Sequence, residues 1–257
     1  MTRSATRRVA RFLSLAALTL SAGASALGAQ TPTHAYRLNG SFADALGGPS
    51  LVGLGGTIGA TGYTFGLGQG LSLTNALNPT VYSLELAFRL DAVTSYRKIV
   101  DFANRTREAG FYVQNGFAHF YPGINPDGLQ SSFTAGTLAH LVLTRDAGGR
   151  FTAFVDGVQT LSFLDRDGLA TFTGPGAVAF LLQDDGGEHP SGFLDYVRIY
   201  DRALTGTEVA ARFAAGDDAL PSQNPPVNVV PEPGTWALLG TGLLAIGALA
   251  RRRVVTA

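Results

Sequence analysis

Apolar and polar residues alternate strictly over residues 83–90. Leu84, Leu86, Phe88 and Leu90 fall on one side, and Ser83, Glu85, Ala87 and Arg89 on the other. That period of two predicts a strand with one buried face. Asn115-Gly116 separates two aromatic-rich segments, 111–114 and 117–121, and Asp156-Gly157 separates 151–155 from 158–163. Both dipeptides accept positive φ at the two central positions of a type I′ turn, so each pair of segments is predicted to be a hairpin. Further strands are expected at 34–38, 71–73, 98–102, 140–145, 178–183 and 193–200, whereas the glycine-rich stretch 47–70 reads as a loose wrap. One helix is predicted over 206–213. Thr205 is its N-cap, Glu208 completes a capping box, and Leu204 and Val209 are spaced for a hydrophobic staple. Roughly ten strands, one late helix and no βαβ alternation predict an all-β fold, a two-sheet antiparallel sandwich or jelly roll.

The two ends follow a different pattern. Arg3, Arg7, Arg8 and Arg11 precede an apolar run over 12–20, and Ala24-Ser25-Ala26 follows. A basic start, a short apolar core and an A-x-A site read as a signal peptide, assigned to residues 1–29. At the other end, Pro231-Glu232-Pro233 precedes an apolar run over 236–250 that Arg251, Arg252 and Arg253 close. That run is shorter than the roughly 20 residues of a comfortable membrane span, and adding Gly234 and Thr235 makes it marginal. Arginines after the run would hold that end on the cytoplasmic side. Residues 219–230, with Pro221, Pro225 and Pro226, read as a linker between body and tail.

The order of Pro231-Glu232-Pro233, apolar helix and terminal arginines resembles the PEP-CTERM sorting signal, over residues 231–253. The resemblance implies a transient anchor in the inner membrane. It also implies cleavage near the motif by a membrane protease of the exosortase type, then transfer to the cell surface or extracellular matrix. A plain C-terminal membrane anchor is the alternative.

Composition narrows the chemistry. The chain has no Cys, which removes disulfides, thiolate metal sites and thiol nucleophiles together. The net charge of zero hides an uneven distribution. Seven of the 19 basic residues but only one of the 19 acids lie in the two end segments. The body is therefore acidic and lacks the basic footprint of a nucleic-acid-binding protein.

Phe154-Val155-Asp156-Gly157 and the later run from Gly192 through Asp195, Tyr196, Arg198 and Tyr200 to Arg202, Leu204, Thr205 and Glu208 resemble the laminin-G-like, concanavalin-A-like jelly roll. Residues 30–218 are assigned to this domain. The sequence departs from the family where Tyr196 stands for a second Asp. It departs again where Leu138 takes the place of a tryptophan, read here as a swap within the core.

Catalytic signals are missing. The Glu-x-Asp-x-x-Glu strand of retaining hydrolases on this fold is absent, Glu85, Glu108 and Glu188 stand isolated, and Glu208 caps the helix. Asp165/Asp167 and Asp184/Asp185 adjoin glycine-containing turns and read as solvated acids. His34, His119, His140 and His189 lack the H-E-x-x-H spacing. No catalytic residue is assigned, and the chain reads as a non-enzyme.

Two ligand expectations remain. The hairpin aromatics either pack in the core or lead into a loop presenting Tyr121, Asn125 and Asp127 to a glycan. The jelly-roll resemblance implies a structural calcium at Asp195, completed by Asp44. Alternation places Asp195 with Val197 and Ile199 on the apolar side, where an ionised carboxylate needs a metal, an arginine or backbone donors. The expected function is an exported, surface-sorted binding or adhesion module recognising extracellular polysaccharide or a surface protein. Its alternatives are a divergent glycoside hydrolase or polysaccharide lyase on the same fold, and a purely structural matrix component.

Overall fold

A computed structural model of the chain describes residues 31–122, 133–184 and 186–216. In chain order the strands are β1 (His34–Tyr36), β2 (Val52–Leu54), β3 (Thr57–Ile58), β4 (Tyr63–Phe65), β5 (Gly70–Leu73), β6 (Tyr82–Leu90) and β7 (Tyr96–Asp101). They continue with β8 (Gly110–Gln114), β9 (Phe117–Tyr121), β10 (Ala139–Arg145), β11 (Arg150–Val155), β12 (Val158–Leu164), β13 (Ala179–Leu181) and β14 (Gly192–Tyr200), and helix α1 (Gly206–Ala215) follows. The first sheet runs β12-β11-β10-β6-β14-β4-β3, with β1 also paired to β14; the second runs β2-β5-β13-β7-β8-β9. All pairings are antiparallel. Among the described residues the two-sheet antiparallel sandwich with one short helix is therefore observed.

The core lies between the sheets. Leu84, Leu86, Phe88 and Leu90 of β6 join Leu141, Leu143, Val197 and Ile199 from the first sheet, and Val100, Phe111, Val113 and Phe120 from the second. Phe102, Phe120 and Phe151 interlock at ring separations of 5.1–6.0 Å. Full burial of each such ring contributes about 1.5–3 kcal/mol.

Both hairpins form as their turns require. Asn115 and Gly116 have φ of 51° and 82°, and Asp156 and Gly157 have 50° and 78°. The capping box is present. The Glu208 amide donates to Thr205 Oγ1 (3.3 Å), and the Thr205 amide donates to Glu208 Oε2 (2.8 Å).

Three expectations change. The glycine-rich stretch is built rather than loose, since it contains β2, β3 and β4. Tyr63 organises it by donating its hydroxyl to the carbonyls of Gly55 (2.7 Å) and Gly70 (2.8 Å). Strand β6 is buried on both faces, Arg89 excepted. Its polar side lies under the segment that enters α1. Ser83 Oγ donates to the Arg202 carbonyl and accepts from the Leu204 amide. Finally, β14 carries a bulge. Leu194 pairs with Phe88 and Tyr196 with Ala87, leaving Asp195 as the extra residue. The bulge breaks the alternation, so Asp195 lines an outer cavity with Tyr196 instead of sharing the core side of Val197 and Ile199.

The signal peptide, the linker, the membrane helix and the Pro231-Glu232-Pro233 motif lie outside the described residues. Among the described residues no helix is long and apolar enough to cross a membrane.

Candidate functional site

Lys98, the one lysine of the chain, lies on β7 with its side chain fully buried. A buried ammonium must be paired. Its Nζ is 2.9 Å from Asp184 Oδ1, 3.1 Å from Asp101 Oδ2 and 3.3 Å from Glu108 Oε2. It also lies 5.3 Å from the Tyr112 ring centroid, a cation–π distance.

Two irregular segments deliver these acids. The loop after β7 passes through Asn104 and Arg105, both at positive φ, while Asp101 Oδ1 accepts the amides of Ala103 and Arg105. The chain leaves β13 through Leu182 at φ 60°, then turns so that Asp184 Oδ2 accepts the amides of Gly186 and Glu188. Positive φ at a leucine costs about 1–3 kcal/mol and persists only where the surroundings over-determine it.

Burial alone would raise the Asp184 carboxyl. Hydrogen bonds from Lys98 and from the Glu188 and Gly186 amides outweigh it and hold Asp184 well below the usual carboxylate range. Tyr112 moves the other way, raised by burial and by its hydrogen bond to Glu108.

Above this base lies a cleft of about 340 Å³ lined by Tyr96, Glu108, Tyr121, Asp184, Gly186 and Glu188. Tyr121 is 40 % exposed. Its ring packs edge-on against Tyr112, as does that of Tyr96. The expected ligand residue Tyr121 thus stands in a cleft with an acidic base. Asn125 and Asp127 lie outside the described residues.

Glu108, Asp184 and Glu188 also form a candidate metal-binding cluster, their donor atoms all within 4.8 Å of one another. Carboxylate oxygens suit a hard cation. The Lys98 ammonium already binds two of the three.

The expected pair Asp195 and Asp44 line separate cavities. Asp44 is buried. Burial opposes its ionisation, but the amides of Ala35, Leu46 and Gly48 together with His34 lower its pKa. His34 Nδ1 lies 2.6 Å from it. Backbone donors and a histidine therefore do the work assigned to calcium at Asp44.

A second buried charge sits on the outer face of the first sheet. Glu85 Oε1 lies 2.9 Å from Arg198 Nη1 and 3.0 Å from His140 Nε2, and Oε2 accepts the Tyr200 hydroxyl at 2.6 Å. Burial resists ionisation of Glu85, yet His140, Arg198 and Tyr200 bring its pKa down from 4.5 to about 2.

Sequence reasoning missed Lys98 and took Glu85, Glu108 and Glu188 as isolated. A lone lysine inside a strand was the available signal for the first. Of the paired acids, Asp167 is exposed as expected, but Asp165 and Asp184 were misread as solvated. Asp184 is buried against Lys98, and Asp165 is buried against Arg145 Nε at 2.9 Å while accepting the Leu169 and Ala170 amides. Leu138, expected in the core, is 51 % exposed.

A family model described as the concanavalin A-like lectin/glucanases superfamily matches residues 65–210. The PEP-CTERM protein-sorting motif matches residues 229–253, which implies processing by an exosortase-type system and membrane association before surface localisation. No curated protein sequence matches the chain. Among solved structures, it is similar to a Trypanosoma rangeli sialidase in complex with sialic acid, with TM-score 0.59 and 16% identity over 74% of this chain and 33% of that one. It is also similar to the botulinum neurotoxin serotype D binding domain, with TM-score 0.52 and 11% identity over 73% of this chain and 52% of that one. Domain 4 of AbnA, a GH43 extracellular arabinanase from Geobacillus stearothermophilus, in complex with arabinotriose, gives TM-score 0.49 and 19% identity over 70% of this chain and 97% of that one. The chain thus spans about a third of the sialidase and half of the toxin domain. Likeness at these identities is one of fold.

Proposed function

The chain belongs to the concanavalin A-like lectin and glucanase superfamily and carries a PEP-CTERM sorting motif, and from that premise we propose a surface-sorted, non-catalytic module that binds extracellular polysaccharide in the Tyr121 cleft. Residues 30–218 are the binding body, and the tail delivers it.

One observation carries the non-catalytic reading: Asp184, the acid beneath the cleft, is held ionised by a buried ammonium. Glycoside hydrolysis needs one carboxyl with a raised pKa to protonate the leaving group. Asp184 is displaced the opposite way by Lys98. Glu85, Glu208 and Asp44, the other described carboxyls with a resolved displacement, also move down. Ionised carboxylates accept hydrogen bonds from sugar hydroxyls, and the Tyr121 and Tyr96 rings offer apolar faces to a pyranose. The acidic base disfavours uronates and other acidic sugars. A hard cation such as calcium would enter at Glu108, Asp184 and Glu188 in competition with Lys98.

The test is a glycan array with the purified protein, followed by calorimetry on the best neutral ligand. Tyr121→Ala is expected to weaken binding several-fold, since an aromatic contact contributes about 0.5–1.5 kcal/mol, and to leave the melting temperature unchanged. Release of shortened saccharides from any bound glycan would establish the hydrolase or lyase reading instead. A blank array would leave the structural matrix role.

A further inference from the structure

The acids of the Tyr121 cleft outnumber its cations. Asp101, Asp184 and Glu108 hold the Lys98 ammonium at 2.9–3.3 Å. Glu188 brings a carboxylate oxygen within 4.8 Å of those of Glu108 and Asp184. Four carboxylates thus stand against one ammonium in this part of the fold. The nearby arginines are committed elsewhere. Arg97 Nη1 donates to the His189 carbonyl at 3.2 Å, and the Arg105 guanidinium lies 5.3 Å from the Phe180 ring centroid. Among the described residues neither these nor Arg107 forms an ion pair with the four acids.

The excess charge faces the cleft. The side chains of Asp101 and Asp184 are fully buried, whereas that of Glu108 is 42 % exposed and Glu188 is half-buried. Glu108 Oε2 accepts the Tyr112 hydroxyl at 2.5 Å beside Lys98, which fixes the side chain and leaves Oε1 for a second donor. Tyr96 and Tyr121 line the cleft with these two acids. The pattern repeats the one beneath it, where carboxylates and the Tyr112 ring at 5.3 Å together receive the Lys98 ammonium. Carboxylates beside aromatic rings favour a cation. The cleft of about 340 Å³ is more than twice the roughly 150 Å³ that holds a benzene-sized solute, so it admits a sugar ring with one substituent.

We propose that the cleft recognises a polysaccharide of amino sugars, hexosamine units whose nitrogen is a free ammonium rather than an acetamide. This rests on the glycan-binding reading above and names the sugar. The pyranose lies along the Tyr121 ring, and its ammonium donates to Glu108 and Glu188, whose oxygens are close enough together to share one head. An ammonium has three N–H donors and no acceptor, so it satisfies both carboxylates at once. An acetamide has one N–H donor, and its carbonyl would face the acids. An anionic substituent is repelled. A lysine side chain presents the same head but lacks the ring for Tyr121.

The test is calorimetry on the full-length protein with tetraglucosamine, its fully N-acetylated counterpart, and tetralysine as a peptide bearing the same ammonium groups. At about pH 6 the carboxylates are ionised and the sugar amines protonated. Tetraglucosamine is expected to bind about tenfold more tightly than the N-acetylated sugar, as one charge-assisted hydrogen bond implies. The ratio should fall toward one between about 0.05 and 0.5 M salt, because a partly exposed pair is screened. Glu108→Gln keeps an acceptor for Tyr112 and Lys98 and should remove most of the ratio. Glu188→Gln gives the same readout at a second position. Tyr121→Ala should weaken both sugars. Equal affinity for the two sugars, both weakened by Tyr121→Ala, would overturn the amino-sugar assignment and leave the glycan cleft standing. A ratio untouched by salt and by both Gln variants would overturn it as well. Sugar binding insensitive to Tyr121→Ala would overturn both readings. Tetralysine binding as tightly as tetraglucosamine would overturn the choice of a sugar in favour of a basic peptide.

Discussion

Replacing Glu85 by Gln isolates one buried charge. The amide keeps the shape of the side chain but removes the anion facing Arg198 at 2.9 Å, where both side chains are fully buried. Two routes give its magnitude. Moving the Glu85 pKa from 4.5 to about 2 corresponds to about 3 kcal/mol of stability at about 1.4 kcal/mol per pH unit. Breaking a buried ion pair on one side costs about 3–5 kcal/mol, because the remaining charge is left without a partner. A loss of about 3 kcal/mol at pH 7 is therefore expected. The sign with pH follows from the lowered pKa. The contribution is complete above about pH 4.5 and disappears as pH falls through about 2, because the unfolded chain takes up the proton first. By pH 3 roughly 2 kcal/mol of it should be gone from the native protein, and Glu85→Gln should show no loss from this source. Urea unfolding followed by far-ultraviolet circular dichroism at pH 7 and pH 3 measures both gaps. The gap between the proteins should shrink from about 3 to about 1 kcal/mol. Parallel stability profiles, or a variant as stable as the native protein at pH 7, would refute the assignment of Glu85 as a buried, ionised hub.

Lys98→Met should destabilise by about 3–5 kcal/mol, since Asp101 and Asp184 lose their counter-ion. Calcium should then raise the variant's melting temperature more than the native protein's, by about 1.4 kcal/mol in stability at ten times its dissociation constant; equal shifts would show that Lys98 and the cation do not compete. Gly157→Ala places a β-carbon at φ +78° and 3.3 Å from Phe213 Cβ. It should cost about 1–2 kcal/mol and lower the melting temperature by a few degrees in a thermal scan, whereas an unchanged midpoint would mean the type I′ turn is not required there. Deleting residues 236–253 should move the protein from washed envelopes to the medium, as read by immunoblot of the fractions. Retention in the envelopes would show that the tail is not the anchor.

Local signals in the chain were enough for the hairpins, the helix and the strands outside the glycine-rich stretch, though not for β2, β3 and β4. Alternation over β6, the Asn115-Gly116 and Asp156-Gly157 turns, and the Thr205/Glu208 box each depend on neighbours within a few residues. Their conformational preferences are therefore legible without a partner strand. The jelly-roll and sorting-motif resemblances were legible for the same reason, as contiguous runs. The sites were not. Lys98 meets Asp184 only because β13 pairs with β7 and Leu182 turns the chain back toward it. Glu85 meets Arg198 across a register set between strands more than a hundred residues apart. The bulge at Asp195 moves one carboxylate from the expected core side to the wall of a cavity, reversing the reason for placing calcium there. Whether an acid is solvated or buried depends on which segment packs over it, and that choice is made by the tertiary fold. Asp184 and Asp165 resemble surface turn residues by composition, yet each neutralises a cation inside the protein.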